Sequence, residues 1–193
     1  MTAINIINLK KSFDDKKVLN GIFLKVEEGE KIVIKGPNGC GKTTLLKIIA
    51  GLIKPDEGIV EIGPGIKISS MFQNPIFLPW LNMEENLNLT CKDPVKLKEL
   101  IDYFKLKNYL NLFPQQLSGG YLQIFSFVRT LTIPHNLLLL DEPFKSLDIN
   151  LKEKAKAFLK YHLDNNKKTT LLMVSHQEDR EDKEIADKIF NLF

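Results

Sequence analysis

The chain has 193 residues, 44% of them apolar, and a formal net charge of +3. That size supports one substantial core, and so small a charge excludes a strongly basic nucleic-acid surface or a strong membrane patch as its organising feature. No apolar run reaches the ~18 residues that span a bilayer, no charged-then-apolar leader is expected, and Cys40 and Cys91 lack metal-ligand spacing and suit a reducing cytosol.

Strands alternating with helices argue an α/β domain. Lys31 to Lys35 (Lys-Ile-Val-Ile-Lys) reads as a short strand. It runs into Gly36-Pro37-Asn38-Gly39-Cys40-Gly41-Lys42-Thr43, which fits G-x-x-x-x-G-K-[ST], with Thr44 next. In that pattern a glycine-rich turn aims backbone N–H groups at phosphates. Lys42 neutralises charge near the β and γ positions, and Thr43 offers its hydroxyl to magnesium. Leu45, Ile48, Ile49 and Leu52 recur at helical spacing behind the loop, with Gly51 as a stop, so the phosphates would sit at a helix N-terminus.

From about residue 74 to 131 helix signals dominate, including Asn82 to Leu89 and Val95 to Phe104. Ser118 is a good helix N-cap, and Gly119 and Gly120 would let backbone approach a phosphate closely. The apolar run from Tyr121 to Leu131 reads as a buried helix stopped by Pro134. In isolation Ser-Gly-Gly is an ordinary helix cap. Leu137 to Leu140 has the composition of a strand buried on both faces and leads into Asp141 and Glu142. Strand alternation would turn Asp141 toward a magnesium ion and Glu142 toward the water that attacks the γ-phosphate. An isolated Asp-Glu pair is a solvated strand end; downstream of a phosphate loop it favours catalysis. A last apolar strand, Leu171 to Val174, precedes Ser175 and His176.

Phosphate loop, Leu117-Ser-Gly-Gly, Asp141-Glu142 and His176, in this order, resemble the ATP-binding domain of ABC ATPases over nearly the whole chain. The resemblance implies a P-loop NTPase core with a mixed sheet, one domain over 1–193, and a helical subdomain inserted at about 74–131. It implies that Gly36 to Thr44 hold ATP, that Asp141 holds Mg2+, that Glu142 is the general base, and that Ser118, Gly119 and Gly120 contact ATP on a second copy. His176 corresponds to the histidine on the γ-phosphate, Gln73 to the glutamine of the magnesium and water shell, and Ser146-Leu147-Asp148 to a loop crossing the dimer interface. Phe13 matches the aromatic that stacks on adenine, with Val18 lining the base; a core phenylalanine is the competing reading.

The resemblance also implies a second ATP-binding subunit, identical or related, integral membrane permease subunits, and in some systems a solute-binding protein, with no nucleic acid. The chain would sit in the cytoplasm, peripheral on the inner face of the cell membrane. Gln73 to Leu87, with Phe77, Trp80 and two prolines, resembles the segment of nitrate, sulfonate and taurine importers that lies near the groove for a permease helix, although the same residues also suit a core. The family signature usually continues Gln-x-Gln-Arg, whereas this chain reads Tyr121-Leu-Gln-Ile124. That change favours slow or partner-dependent hydrolysis and keeps a regulatory nucleotide-binding subunit as a rival. A soluble ABC-type ATPase outside transport is the other rival, disfavoured by the lack of a long coiled coil between Gly36 and Gly120. C-terminal regulatory extensions are not expected.

Overall fold

A computed structural model describes residues 1–175 and 184–193. The chain divides into two compact units. The first comprises Met1–Ser70, His135–Glu142 and Asn166–Phe193, the second Met71–Pro134 and Pro143–Asn165.

The first unit holds two sheets. β1 (Thr2–Phe13) and β2 (Lys16–Glu27) form an antiparallel hairpin through the turn Asp14–Asp15, and β4 (Glu57–Ile62) pairs with the other edge of β1. The second sheet contains β3 (Lys31–Lys35), β5 (Ile68–Met71), β6 (Leu137–Asp141), β7 (Thr170–Val174) and β8 (Lys188–Asn191) in the order β5-β6-β7-β3-β8. β3 runs parallel to β7 and β8, and β6 runs parallel to β7. Every residue of β6 and β7 is buried, which explains their near-continuous apolar composition: a parallel strand covered on both faces has no polar side to display. The expected α/β arrangement is therefore present.

α1 (Lys42–Ile49) buries Leu45, Leu46, Ile48 and Ile49 and packs on β6 and β7. Its end corrects one expectation. Gly51 N–H donates to the Ile48 carbonyl at 3.0 Å and Leu52 N–H to the Lys47 carbonyl at 2.9 Å, the paired bonds that close a helix C-terminus. Leu52 therefore lies past the last turn and is 63% exposed rather than on the buried face.

The second unit is helical: α2 (Met83–Asn88), α3 (Pro94–Tyr103), α4 (Gly119–Thr132) and α5 (Ile149–Asn165). Local sequence starts all four, Asp148 capping α5 by accepting the Leu151 N–H at 2.9 Å. Asn82 and Glu85 cap α2 reciprocally at 2.9 and 2.8 Å, Asp93 caps α3 ahead of Pro94, and Ser118 caps α4. The core is aromatic. Phe104 meets Phe127 edge-on at 6.2 Å and Phe158 at 5.9 Å, and Phe127 meets Phe144 at 5.9 Å. Among the described residues no helix is long and apolar enough to cross a membrane.

Phe127 is fully buried at the centre of this cluster. Replacing it with alanine should destabilise the chain by about 3–5 kcal/mol, read as a lower urea midpoint in chemical denaturation.

Candidate nucleotide site

Strand register sets the site. Val174 of β7 lies opposite Ile34 of β3 on one side and opposite Asp141 of β6 on the other. The ends of β3 and β6 are thus level, about 10 Å apart across β7 at ordinary strand spacing. Because the strands are parallel, the loop after Lys35 and the carboxylates after Leu140 leave the same, carboxyl end of the sheet. In open α/β sheets that end is where ligands bind.

The loop is built for close approach. Gly41 has φ 100°, and a Cβ there would lie 2.7 Å from the Leu19 side chain and 2.9 Å from Val18. No other residue fits both the backbone angle and the space. Lys42 is buried with its ammonium donating to the Gly36 carbonyl at 2.8 Å and the Pro37 carbonyl at 2.9 Å, which holds the charge across the loop. Pro37, Asn38 and Gly39 form the exposed outer arc, Cys40 is half-buried and free, and Thr43 and Thr44 lie in the first turn of α1. The first N–H groups of a helix have no intrahelical partners, which makes such a terminus a ready site for an anion.

Phe13 closes β1 and is 45% exposed, so it is not a core phenylalanine. Val18 packs against the loop through Gly41, so β2 joins the Phe13 end of the hairpin to the phosphate loop within the first unit.

Asp141 ends β6 and is 1% exposed. Glu142 corrects the sequence reading: it is not the next residue of a strand. Its φ is 48°, in the left-handed region, while its N–H donates to the Val174 carbonyl at 3.0 Å. The backbone turns there, so its direction is set by this conformation and not by strand alternation. A non-glycine residue held so stores on the order of 1 kcal/mol, and such strain clusters at functional positions. The donor set suits magnesium. Thr43 and Asp141 are hard oxygen donors, few in number, as expected for an ion that completes its shell with phosphate and water. No cluster of three or more His, Cys, Asp or Glu able to hold a metal occurs among the described residues.

The remaining candidates lie in the second unit or outside the description. Gln73 is half-buried just beyond β5. His176 lies outside the described residues. Ser118 caps α4 by accepting the Tyr121 N–H at 3.4 Å, with Gly119 beside it in open space. At Gly120 a Cβ would come within 2.9 Å of the Ser146 carbonyl, so the helix start and the 146–148 loop touch through a glycine.

Residues 19–145 match the family described as ABC transporter. The chain belongs to the ABC transporter family. It is an ABC ATPase with the P-loop α/β fold. It is 41% identical over 180 residues to the aliphatic sulfonates import ATP-binding protein SsuB of Bacillus subtilis, covering 84% of this chain and 68% of that protein. It is 36% identical over 203 residues to the spermidine/putrescine import ATP-binding protein PotA of Fusobacterium nucleatum, covering 96% of this chain and 54% of that protein. The ATP-binding cassette MJ0796, solved as a dimer in a post-hydrolysis state with ADP and Pi, superposes with a TM-score of 0.85 at 27% identity over 98% of this chain and 94% of that one.

At the two positions where this ABC ATPase departs from the usual signature, the structure supplies other contacts. Ile124 is fully buried on α4. Tyr121 stacks on Tyr109, ring centroids 4.1 Å apart, and the two hydroxyls lie 2.5 Å apart. Sequence reading passed over Tyr109 and also Gln123, whose buried amide donates to the Pro143 carbonyl at 3.2 Å. The spacing Gln123 shares with the family signature was the available signal; Tyr109 had none.

The Tyr109 hydroxyl holds the Tyr121 phenol protonated above the ordinary tyrosine range, reinforced by burial. Its stabilising effect is therefore complete below about pH 10 and is lost as pH rises beyond. In Tyr109→Phe the last step of tyrosinate absorbance should move to lower pH.

Proposed function

We propose that this ABC ATPase is the ATP-binding and hydrolysing subunit of an importer for a small solute, working through separate membrane permease subunits at the inner face of the membrane. The observation that carries the hydrolytic part is the shared level of Ile34, Val174 and Asp141, followed by a strained Glu142. The names of SsuB and PotA support import and differ in cargo, so the substrate class goes no further than a small solute. The helical second unit is proposed to be the subdomain inserted in the ATPase core.

In this mechanism two copies, or this chain and a related one, pair head to tail. Each ATP would lie between Gly36 to Thr44 of one and Ser118 to Gly120 of the other. Thr43 and Asp141 would hold Mg2+, which when bound supplies positive charge to the phosphate oxygens. Lys42, already fixed across the loop, would meet the charge that grows on the γ-phosphoryl oxygens. Glu142 would take the proton of the attacking water. Phe13 and Val18 would hold adenine, and Gln73 and His176 keep their family roles. ATP binding would close the pair and hydrolysis reopen it.

Within the second unit a feature supports permease docking through Gln73 to Leu87. The Arg129 guanidinium of α4 sits 4.5 Å from the Phe77 ring centre and donates to the Ile76 carbonyl at 2.8 Å. Asn86 fastens the same segment through Leu78, Leu81 and Asn82 at 2.8 to 3.1 Å. The backbone is thus fixed while Ile76 and Trp80 remain 77% and 70% exposed. Rigidly mounted apolar side chains in water suit a partner. A regulatory subunit with weak hydrolysis is the second reading, favoured by Tyr121 and Ile124.

Glu142→Gln should lower steady-state ATP hydrolysis at least about 100-fold, the usual contribution of a general base, and accumulate an ATP-bound dimer in size-exclusion chromatography. A variant that stays monomeric in saturating ATP and magnesium yet hydrolyses normally overturns the mechanism. The same variant, used as bait on gently solubilised native membranes with ATP and magnesium, should retain a multi-span membrane protein by mass spectrometry. Recovery of soluble proteins only would point to a role outside transport.

A further inference from the structure

Beside the phosphate loop, β1 ends in Lys11-Ser12-Phe13, and this end is tied to a residue far away in sequence. Asp56 is bound three ways. One carboxylate oxygen accepts the Lys11 ammonium at 2.6 Å, the other accepts the Ser12 N–H at 2.7 Å, and the Asp56 N–H donates to the Lys10 carbonyl at 3.0 Å. The Lys11 side chain is only 15% exposed. Its ammonium lies 5.3 Å from the centre of the Phe13 ring, within the range of a cation–π contact, while Phe13 stays 45% exposed.

A held cation therefore lies over one face of the ring, while the residue as a whole keeps 45% of its surface exposed. We propose that Lys11, held by Asp56, is a positioning residue for the nucleobase: it closes one face of Phe13 and leaves only the opposite face for adenine to stack on. This rests on the assignment of Phe13 to adenine and adds the residues that aim it. A mobile aromatic at a strand end loses side-chain freedom when a base stacks on it. A ring already pinned by a cation loses less, so the base binds more tightly without a new contact of its own.

The test separates the base from the phosphates. Affinities for ATP and for inorganic tripolyphosphate are measured on the wild type, Lys11→Met, Lys11→Arg, Asp56→Asn and Phe13→Ala. Lys11→Met and Asp56→Asn should reduce the preference for ATP over tripolyphosphate roughly two- to five-fold, with tripolyphosphate binding unchanged. Lys11→Arg, which keeps the cation, should retain the preference. If Phe13→Ala removes the preference and Lys11→Met and Asp56→Asn keep it, the positioning role is wrong and adenine stacking stands. If Phe13→Ala itself leaves the preference intact, the base does not stack on Phe13 and both fail. An equal loss of ATP and tripolyphosphate binding in Lys11→Met would mean a general structural role and also overturn the proposal.

Discussion

The candidate nucleotide site depends on the pairing of β7 between β3 and β6. Parallel strands buried on both faces can slide only by breaking their ladder and misplacing every apolar side chain, so their register is firmly held. Val174 serves as the shared rung between Ile34 and Asp141. Its carbonyl also accepts the Glu142 N–H at 3.0 Å, and Ser175 N–H reaches the Ile34 carbonyl at 3.3 Å. The loop after β3 and the carboxylates are thereby set at the carboxyl end of the sheet by backbone hydrogen bonds, before any side chain of the site is considered.

On that base, local conformations that disfavour most residues do specific tasks. Gly41 lets Val18 and Leu19 press against the loop, which joins the antiparallel hairpin to the phosphate cradle. Glu142 turns the chain away from the strand at the position where the general base is proposed. Lys42 spans the loop by donating to the Gly36 and Pro37 carbonyls, so its charge is already in place when an anion arrives. A cradle organised in advance spends less binding energy on rearrangement.

The second unit is stabilised differently. Its aromatic cluster supplies apolar burial, while hydrogen bonds fasten its loops: Asn86 and Arg129 on the 76–82 segment, the Tyr109–Tyr121 pair at the start of α4, and Gln123 on Pro143. Tyr121 and Ile124 replace polar signature residues with contacts internal to the unit. The start of α4 is consequently held by stacking and a hydroxyl pair.

Much was legible in sequence because it rests on short-range rules. The apolar runs of β3, β6 and β7, the cap of α4, the Gly51 stop and the identities of Lys42, Thr43, Asp141 and Glu142 all follow from neighbouring residues. β1 and β2 were not legible, because register shifts between Ile6 and Lys10 and a left-handed Asn8 break their alternation. α5 was passed over although Ala155, Phe158, Leu159, His162 and Leu163 recur at helical spacing, since lysines fill the gaps. The sequence by itself determined which chemical groups the protein owns and the order in which they occur. The tertiary structure alone decided that Asp141 stands level with Ile34, that Glu142 turns out of its strand, that Phe13 is exposed, and that Asp56 clasps Lys11 from 45 positions away. Register and long-range ion pairing arise from contacts between segments that have no fixed separation until the chain has folded.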